Sequence, residues 1–168
     1  MIPRLCQLIV QYPLSFVLTA LACAYLLVIA VWLSIIDLRS HLLPNRIVYP
    51  SIAVALGLLG CSALLAADAG TALRVLLGGV VLGLGYLLLR AIYPAGMGLG
   101  DVKLAVLLGC YLGYLSWLHL LYASILSFML GGLVGVGLLL SRKGTLKTAL
   151  PFGPLMFAGT ILALLTPA

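Results

Sequence analysis

Glutamate is absent from this chain of 168 residues, and aspartate occurs three times, at Asp37, Asp68 and Asp101. Charged residues of both signs make up 7% of the sequence, against about 25% in an ordinary soluble domain. Apolar residues make up 65%, and the mean hydropathy is +1.33. A soluble fold of this length cannot bury that much apolar surface, so the chain is read as an integral membrane protein. Its nine Lys and Arg residues give a net charge of +6. They are scattered singly near the ends of apolar runs rather than gathered in a stripe, which argues against a nucleic-acid partner. With only two histidines, His41 and His119, on opposite sides of the topology derived below, no histidine-based zinc site is expected. No CxxC spacing joins Cys6, Cys23, Cys61 and Cys110, so they read as small membrane-buried hydrophobes rather than as a disulfide or metal framework. No Ser or Cys has a base in a pattern suited to a nucleophilic triad. No metal and no cofactor is expected.

What is present is a series of long apolar runs. Strand alternation is weak and the runs are too long for barrel strands, so the bilayer leaves a helical bundle as the solution. The fold class expected is all-α, a polytopic bundle of about six transmembrane helices in one domain over residues 1–168. The spans expected are about 14–36, 47–67, 72–92, 101–117, 118–140 and 150–166. Met1 to Pro13 reads as a retained interfacial lead rather than a cleaved signal, with no soluble domain at either end. Pro44 disfavours helix at Leu43, and Asn45 can satisfy local backbone groups. Pro50 is expected in the first turn of the second span, and Asp68 as the N-cap of the third. Small residues in Gly78–Gly85 and at Gly131, Gly132, Gly135 and Gly137 mark faces where helices approach closely.

Basic residues then orient the bundle. Loops one, three and five hold Arg39, Arg46, Arg90, Lys103, Arg142, Lys143 and Lys147, whereas the other side holds Arg4 and Arg74. The positive-inside rule places the odd loops in the cytoplasm and both termini outside. Asp37 follows an odd-numbered span and Asp101 precedes an even-numbered one, so both fall on the cytoplasmic side, and Asp68 on the other.

Two adjacent carboxylates cannot both ionise without cost. A pair sharing a proton can activate a water with one member and protonate a peptide carbonyl oxygen with the other. The stretch GLGDVK, from Gly98 to Lys103, suits such a task, because glycine lets a substrate backbone approach Asp101. Other readings stand beside this one. Asp101 at a helix start can be a cap, and Asp37 at a helix end can pair with Arg39 or Arg46. Either can also serve ion coupling or interfacial anchoring. His119 reads as a satisfied helix-end group and His41 as an interfacial loop residue. Lys103 reads as a snorkelling side chain or one that positions the loop.

Three features in order resemble the type 4 prepilin peptidase family of polytopic aspartic proteases, which includes archaeal preflagellin enzymes. Asp37 is followed by LRSHLLPN, ending in Pro44 and Asn45. Gly98, Gly100, Asp101 and Lys103 form Gly-x-Gly-Asp-x-Lys, and Pro151 to Pro154 read Pro-Phe-Gly-Pro. The likeness runs from about Leu26 to Ala158. It implies catalytic roles for Asp37 and Asp101, supported by Gly98, Gly100, Lys103, Pro44 and Asn45. It further implies removal of short basic leaders from prepilins or pseudopilins that carry an apolar N-terminal helix, at the cytoplasmic face of a prokaryotic inner membrane. The cut would fall after a Gly. Many bacterial members also carry an N-terminal region with paired CxxC motifs and N-methylate the product. Those motifs are missing here, so peptidase activity without methyltransferase activity is expected. Asn45 stands where many members have Asp, and is expected to serve local structure without loss of activity. A non-catalytic scaffold, or a small ion-coupled carrier using the same aspartates, is the alternative from a different class.

Overall fold

A computed structural model of the chain describes residues 1–40, 42–94, 97–141 and 151–166. Among the described residues every regular element longer than one turn is an α-helix. They are α1 (Ile2–Gln11), α2 (Pro13–Ser40), α3 (Asn45–Leu65), α4 (Ala69–Ile92), α5 (Leu99–Leu115), α6 (Trp117–Leu140) and α7 (Gly153–Leu165). His41, Arg142, Lys143 and Lys147, read above as loop residues, lie outside the described residues.

Each expected span has a helix, and the lead forms α1. Four of the helices, α2, α3, α4 and α6, are long and apolar enough to cross a membrane, which corrects the expected six. Helices α5 and α7 have 17 and 13 residues. They rise about 25 and 20 Å, less than a hydrocarbon core of about 30 Å. For α5 the reason is its place in the bundle. It is apolar on every face and buried almost continuously from Leu104 to Leu115, packed against α3, α4, α6 and α7. A helix sheathed by other helices need not match the bilayer. The outer helices instead point large apolar side chains outward, such as Val28, Trp32, Leu84, Leu88 and Leu133. Their buried faces carry Ser51, Ser62, Thr71 and Ser127.

Close packing on α5 rests on glycine. A Cβ at Gly78 would lie 2.5 Å from the Gly109 carbonyl oxygen, and one at Gly79 would lie 2.9 Å from Cys110 Sγ. Helices α4 and α5 therefore meet backbone to backbone, as the small residues of the third span predict. The glycines of α6 divide differently. Gly131 faces Phe152, whereas Gly132 and Gly137 face open space.

Hydrogen bonds sort the molecule into two ends. At one end Tyr114 meets Ser62 and Thr19, each at 3.0 Å, and Arg4 lies over the Tyr114 ring at 4.7 Å. His119 Nδ1 pairs there with Ser116 Oγ at 2.8 Å, a satisfied helix-end group as expected. Asp68 is the N-cap of α4: it accepts from the Thr71 N–H at 2.9 Å and pairs with Arg4 at 2.9 Å. Pro50 departs from expectation. Because α3 already begins at Asn45, Pro50 lies inside the helix rather than in its first turn.

The Thr71 hydroxyl and N–H, with Arg4, hold the Asp68 carboxyl at about 2, below its ordinary 3.8. A lowered folded-state pKa adds stability that is fully present above about pH 4 and is lost as pH falls towards 2. Asp68→Ala should cost about 1 kcal/mol through loss of the cap and should flatten that acid limb. Asp68→Asn should keep most of the cap. Thermal unfolding in detergent across this pH range checks both.

Candidate active site

Asp37 and Asp101 lie at the other end of the bundle. From Asp101 to Tyr114 along α5 the rise is about 20 Å. Both aspartates are buried, at 4% and 9% exposure. Asp37 lies at a helix end, one of the two places its position after the first span allowed. Helix α2 continues to Ser40 and carries it in the last turn. Asp101 is the third residue of α5, so the carboxylate belongs to the helix and not to the glycine loop before it.

Each carboxylate sits at the start of a helix. Asp101 accepts the Gly98 N–H at 3.0 Å, reaching back over the first turn of its own helix. Gly98 has no side chain to return the bond, so this is one half of a capping box. Asp37 accepts the Gly153 N–H at 2.9 Å, and Gly153 is the first residue of α7. Helix N-termini offer free N–H groups and a positive dipole end, which suits a carboxylate. Asp37 gains this from a helix 116 residues away in sequence.

Asp101 lies within electrostatic reach of both Asp37 and Arg90. Burial and the neighbouring carboxylate oppose a charge on Asp101, while the Gly98 N–H and the guanidinium favour one. Arg90, in the last turn of α4, also donates to the Met97 carbonyl at 2.6 Å and so ties down the segment that leads into α5.

The other sequence candidates gather here with structural roles. Pro44 is the N-cap of α3, and Asn45 is the first residue of that helix. Lys103 Nζ donates to Asn45 Oδ1 at 2.7 Å and lies 5.2 Å over the Tyr49 ring, joining α5 to α3. Gly100 is needed for packing: a Cβ there would lie 2.9 Å from Leu43 Cβ. Gly98, at φ −74° and ψ 154°, has an ordinary backbone conformation. Among the described residues no glycine has positive φ, so none is required for its backbone freedom.

Gly100→Ala should destabilise the protein by about 1–3 kcal/mol through overpacking against Leu43. Leu43→Ala in the same chain should recover part of that loss by removing the obstructing side chain. Unfolding midpoints of the two single variants and the double variant measure the coupling.

Sequence reasoning gave no site role to Arg90, Phe152 or Gly153. Arg90 read only as a topology marker. The signal for the other two was the Pro-Phe-Gly-Pro stretch, whose place beside Asp37 depends on how α7 packs on α2. Among the described residues no cluster of His, Cys, Asp and Glu is arranged to hold a metal ion.

The sequence model described as the type IV leader peptidase family matches residues 11–136. A prepilin leader peptidase/N-methyltransferase from Aeromonas hydrophila is 33% identical over 183 residues, which cover 92% of this chain and 58% of that protein. One of the same name from Pseudomonas putida is 41% identical over 143 residues, covering 79% and 45%. A third, from Pseudomonas aeruginosa, is 31% identical over 179 residues, covering 92% and 58%. The chain thus spans 45% to 58% of the length of these curated relatives. No solved structure matches it.

Proposed function

Because the chain belongs to the type IV leader peptidase family, we propose that it is a membrane-embedded aspartic endopeptidase that removes the leader of prepilin-type or pseudopilin-type proteins. Asp37 and Asp101 are the catalytic pair in this reading. One carboxylate takes a proton from water as its oxygen attacks the scissile carbonyl carbon. The other, protonated, donates to the carbonyl oxygen. Collapse of the tetrahedral intermediate breaks the C–N bond: the departing amine takes the proton drawn from water by the first carboxylate, and the second carboxylate recovers its proton from the intermediate's hydroxyl as the new carboxyl group forms. The two carboxyls titrate as a pair, so neither role is assigned to one residue.

The observation that carries the reading is the placement of two buried aspartates, on α2 and α5, at the same end of the bundle, each accepting the N–H of a glycine at a helix start. Burial keeps bulk water from screening the pair, and the helix termini at Gly98 and Gly153 support a negative charge there. Gly98, Gly100, Lys103, Pro44 and Asn45 support the site by fixing α3 and α5 around it.

The site faces the cytoplasm in this proposal. Arg39, Arg46, Arg90 and Lys103 lie in the helices near their ends on its side, and Arg4 and Arg74 lie at the other. A substrate held in the membrane by its apolar helix would present its leader junction at that face. Helices α5 and α7, though short, pack with the four longer helices as part of a single peptidase domain.

The test is coexpression with a prepilin-type substrate, following the shift in substrate mass as the leader is lost. Processing should require both Asp37 and Asp101. Undiminished processing after replacement of either sinks the proposal.

A further inference from the structure

Phe152 stands where a helix usually places a capping side chain. It is the N-cap of α7, yet it makes no side-chain cap bond. Ser, Thr, Asp and Asn are the residues suited to that position. The first-turn donors are nevertheless accounted for. Leu155 and Met156 both donate to the Phe152 carbonyl, at 3.1 and 3.0 Å, and Pro154 has no N–H. The Gly153 N–H is the first-turn donor directed away from α7, and it goes to Asp37 Oδ2. That N–H lies in the plane of the Phe152–Gly153 peptide. Whatever fixes Phe152 therefore fixes the donor at Asp37.

The Phe152 ring is held on several sides. Its centroid lies 5.3 Å from Phe128 on α6 and 6.4 Å from Tyr86 on α4. Tyr86 and Phe128 stack on each other at 5.6 Å, closing a triangle across three elements. All three separations fall in the range of favourable aromatic pairs. Behind the ring, a Cβ at Gly131 would come within 3.0 Å of Phe152 Cε2, so glycine leaves room for the ring. Next to it, a Cβ at Gly153 would lie 2.8 Å from Asp37 Oδ2. Tyr86 is buried. Through Gly153 the aromatic cluster is thus joined to Asp37.

We propose that Phe152, clamped by Tyr86 and Phe128, is a positioning residue for Asp37: it sets the peptide whose N–H holds that carboxylate against α7. The inference rests on the peptidase reading for its catalytic consequence and on packing alone for its structural one. A displaced Gly153 leaves substrate binding intact but misplaces a reacting group, so kcat falls while KM does not.

The test uses purified full-length protein in proteoliposomes with a prepilin-type substrate. Phe152→Ala should lower kcat at least about tenfold with KM within about twofold. Phe152→Tyr, which keeps the ring, should restore kcat. Phe152→Leu replaces the alanine variant if the latter does not fold. An unchanged kcat in the ring-deleted protein overturns the proposal, as does a loss that Phe152→Tyr shares. A second measurement does not need activity. The Tm losses of Phe152→Ala and Asp37→Ala should fail to add in the double variant, because each disrupts the same Gly153–Asp37 contact. Additive losses overturn the proposal. If the unsubstituted protein cleaves nothing, the peptidase reading fails, and the melting cycle still decides whether Phe152 positions Asp37.

Discussion

Asp101→Asn is expected to lower leader removal by at least about a thousandfold, and Asp37→Asn to do the same. Asparagine nearly preserves the shape of aspartate. Its amide oxygen can still accept the Gly98 N–H at position 101, or the Gly153 N–H at position 37. Backbone seating therefore survives each change, and what is lost is the ability to take or give a proton. Loss of activity in a folded variant then reports chemistry rather than collapse. Asp68→Asn is the internal control. It removes the remaining acidic side chain of the chain, at the opposite end of the bundle, and should leave processing within about twofold of the parent. The measurement is the rate of leader loss per mole of folded enzyme. Substantial turnover by Asp37→Asn or Asp101→Asn would rule out the dyad mechanism, and an equally large loss in Asp68→Asn would remove its specificity.

The second large effect is on stability. Gly109→Ala should destabilise the bundle by about 3 kcal/mol or more. The added Cβ would meet the carbonyl group of Gly78 and the Cα of Gly79, all of them backbone atoms. A side chain can rotate away from an intruding methyl, but a helix backbone cannot, so α4 and α5 must separate. Gly78→Ala should act alike from the other side, because its Cβ would lie 2.5 Å from the Gly109 carbonyl oxygen. Gly132→Ala provides the contrast. Nothing lies within 4 Å of the Cβ it would gain, and alanine is the better helix former. Its effect should be neutral or mildly stabilising. Thermal unfolding in one detergent compares all three. Equal effects at positions 109 and 132 would show that α4 and α5 do not meet through glycine. Because α5 also carries Asp101, loss of activity should follow loss of stability in the Gly109 variant.

How much of this was legible in the sequence depends on the range of the interaction. The membrane class follows from composition alone, because 65% apolar and 7% charged residues leave no other solvent for the surface. Proline, glycine and the aspartate cap at position 68 mark helix ends through local backbone chemistry, so the breaks fell within a few residues of the observed ones. Parity of the breaks placed Asp37 and Asp101 at the same end and Asp68 at the other. Span number was less legible. Apolar runs look alike whether they face lipid or protein, and only packing identifies α5 as a short helix enclosed by its neighbours.

The glycines give the same lesson at finer scale. Gly100 and Gly132 are identical on paper. One lies against Leu43 and the other faces open space, and nothing local distinguishes them. In the same way, a phenylalanine between two prolines announces a helix start but not what its neighbour's N–H will meet. The sequence by itself determined a helical membrane protein with two aspartates at one end, because hydropathy, charge and turn chemistry act over a few residues. Only the tertiary structure decided that Asp37 rests on the start of α7, that Arg90 ties down the approach to Asp101, and that α4 and α5 touch through bare backbone. Those contacts depend on helix rotation and crossing, which are set by packing between segments far apart in the chain.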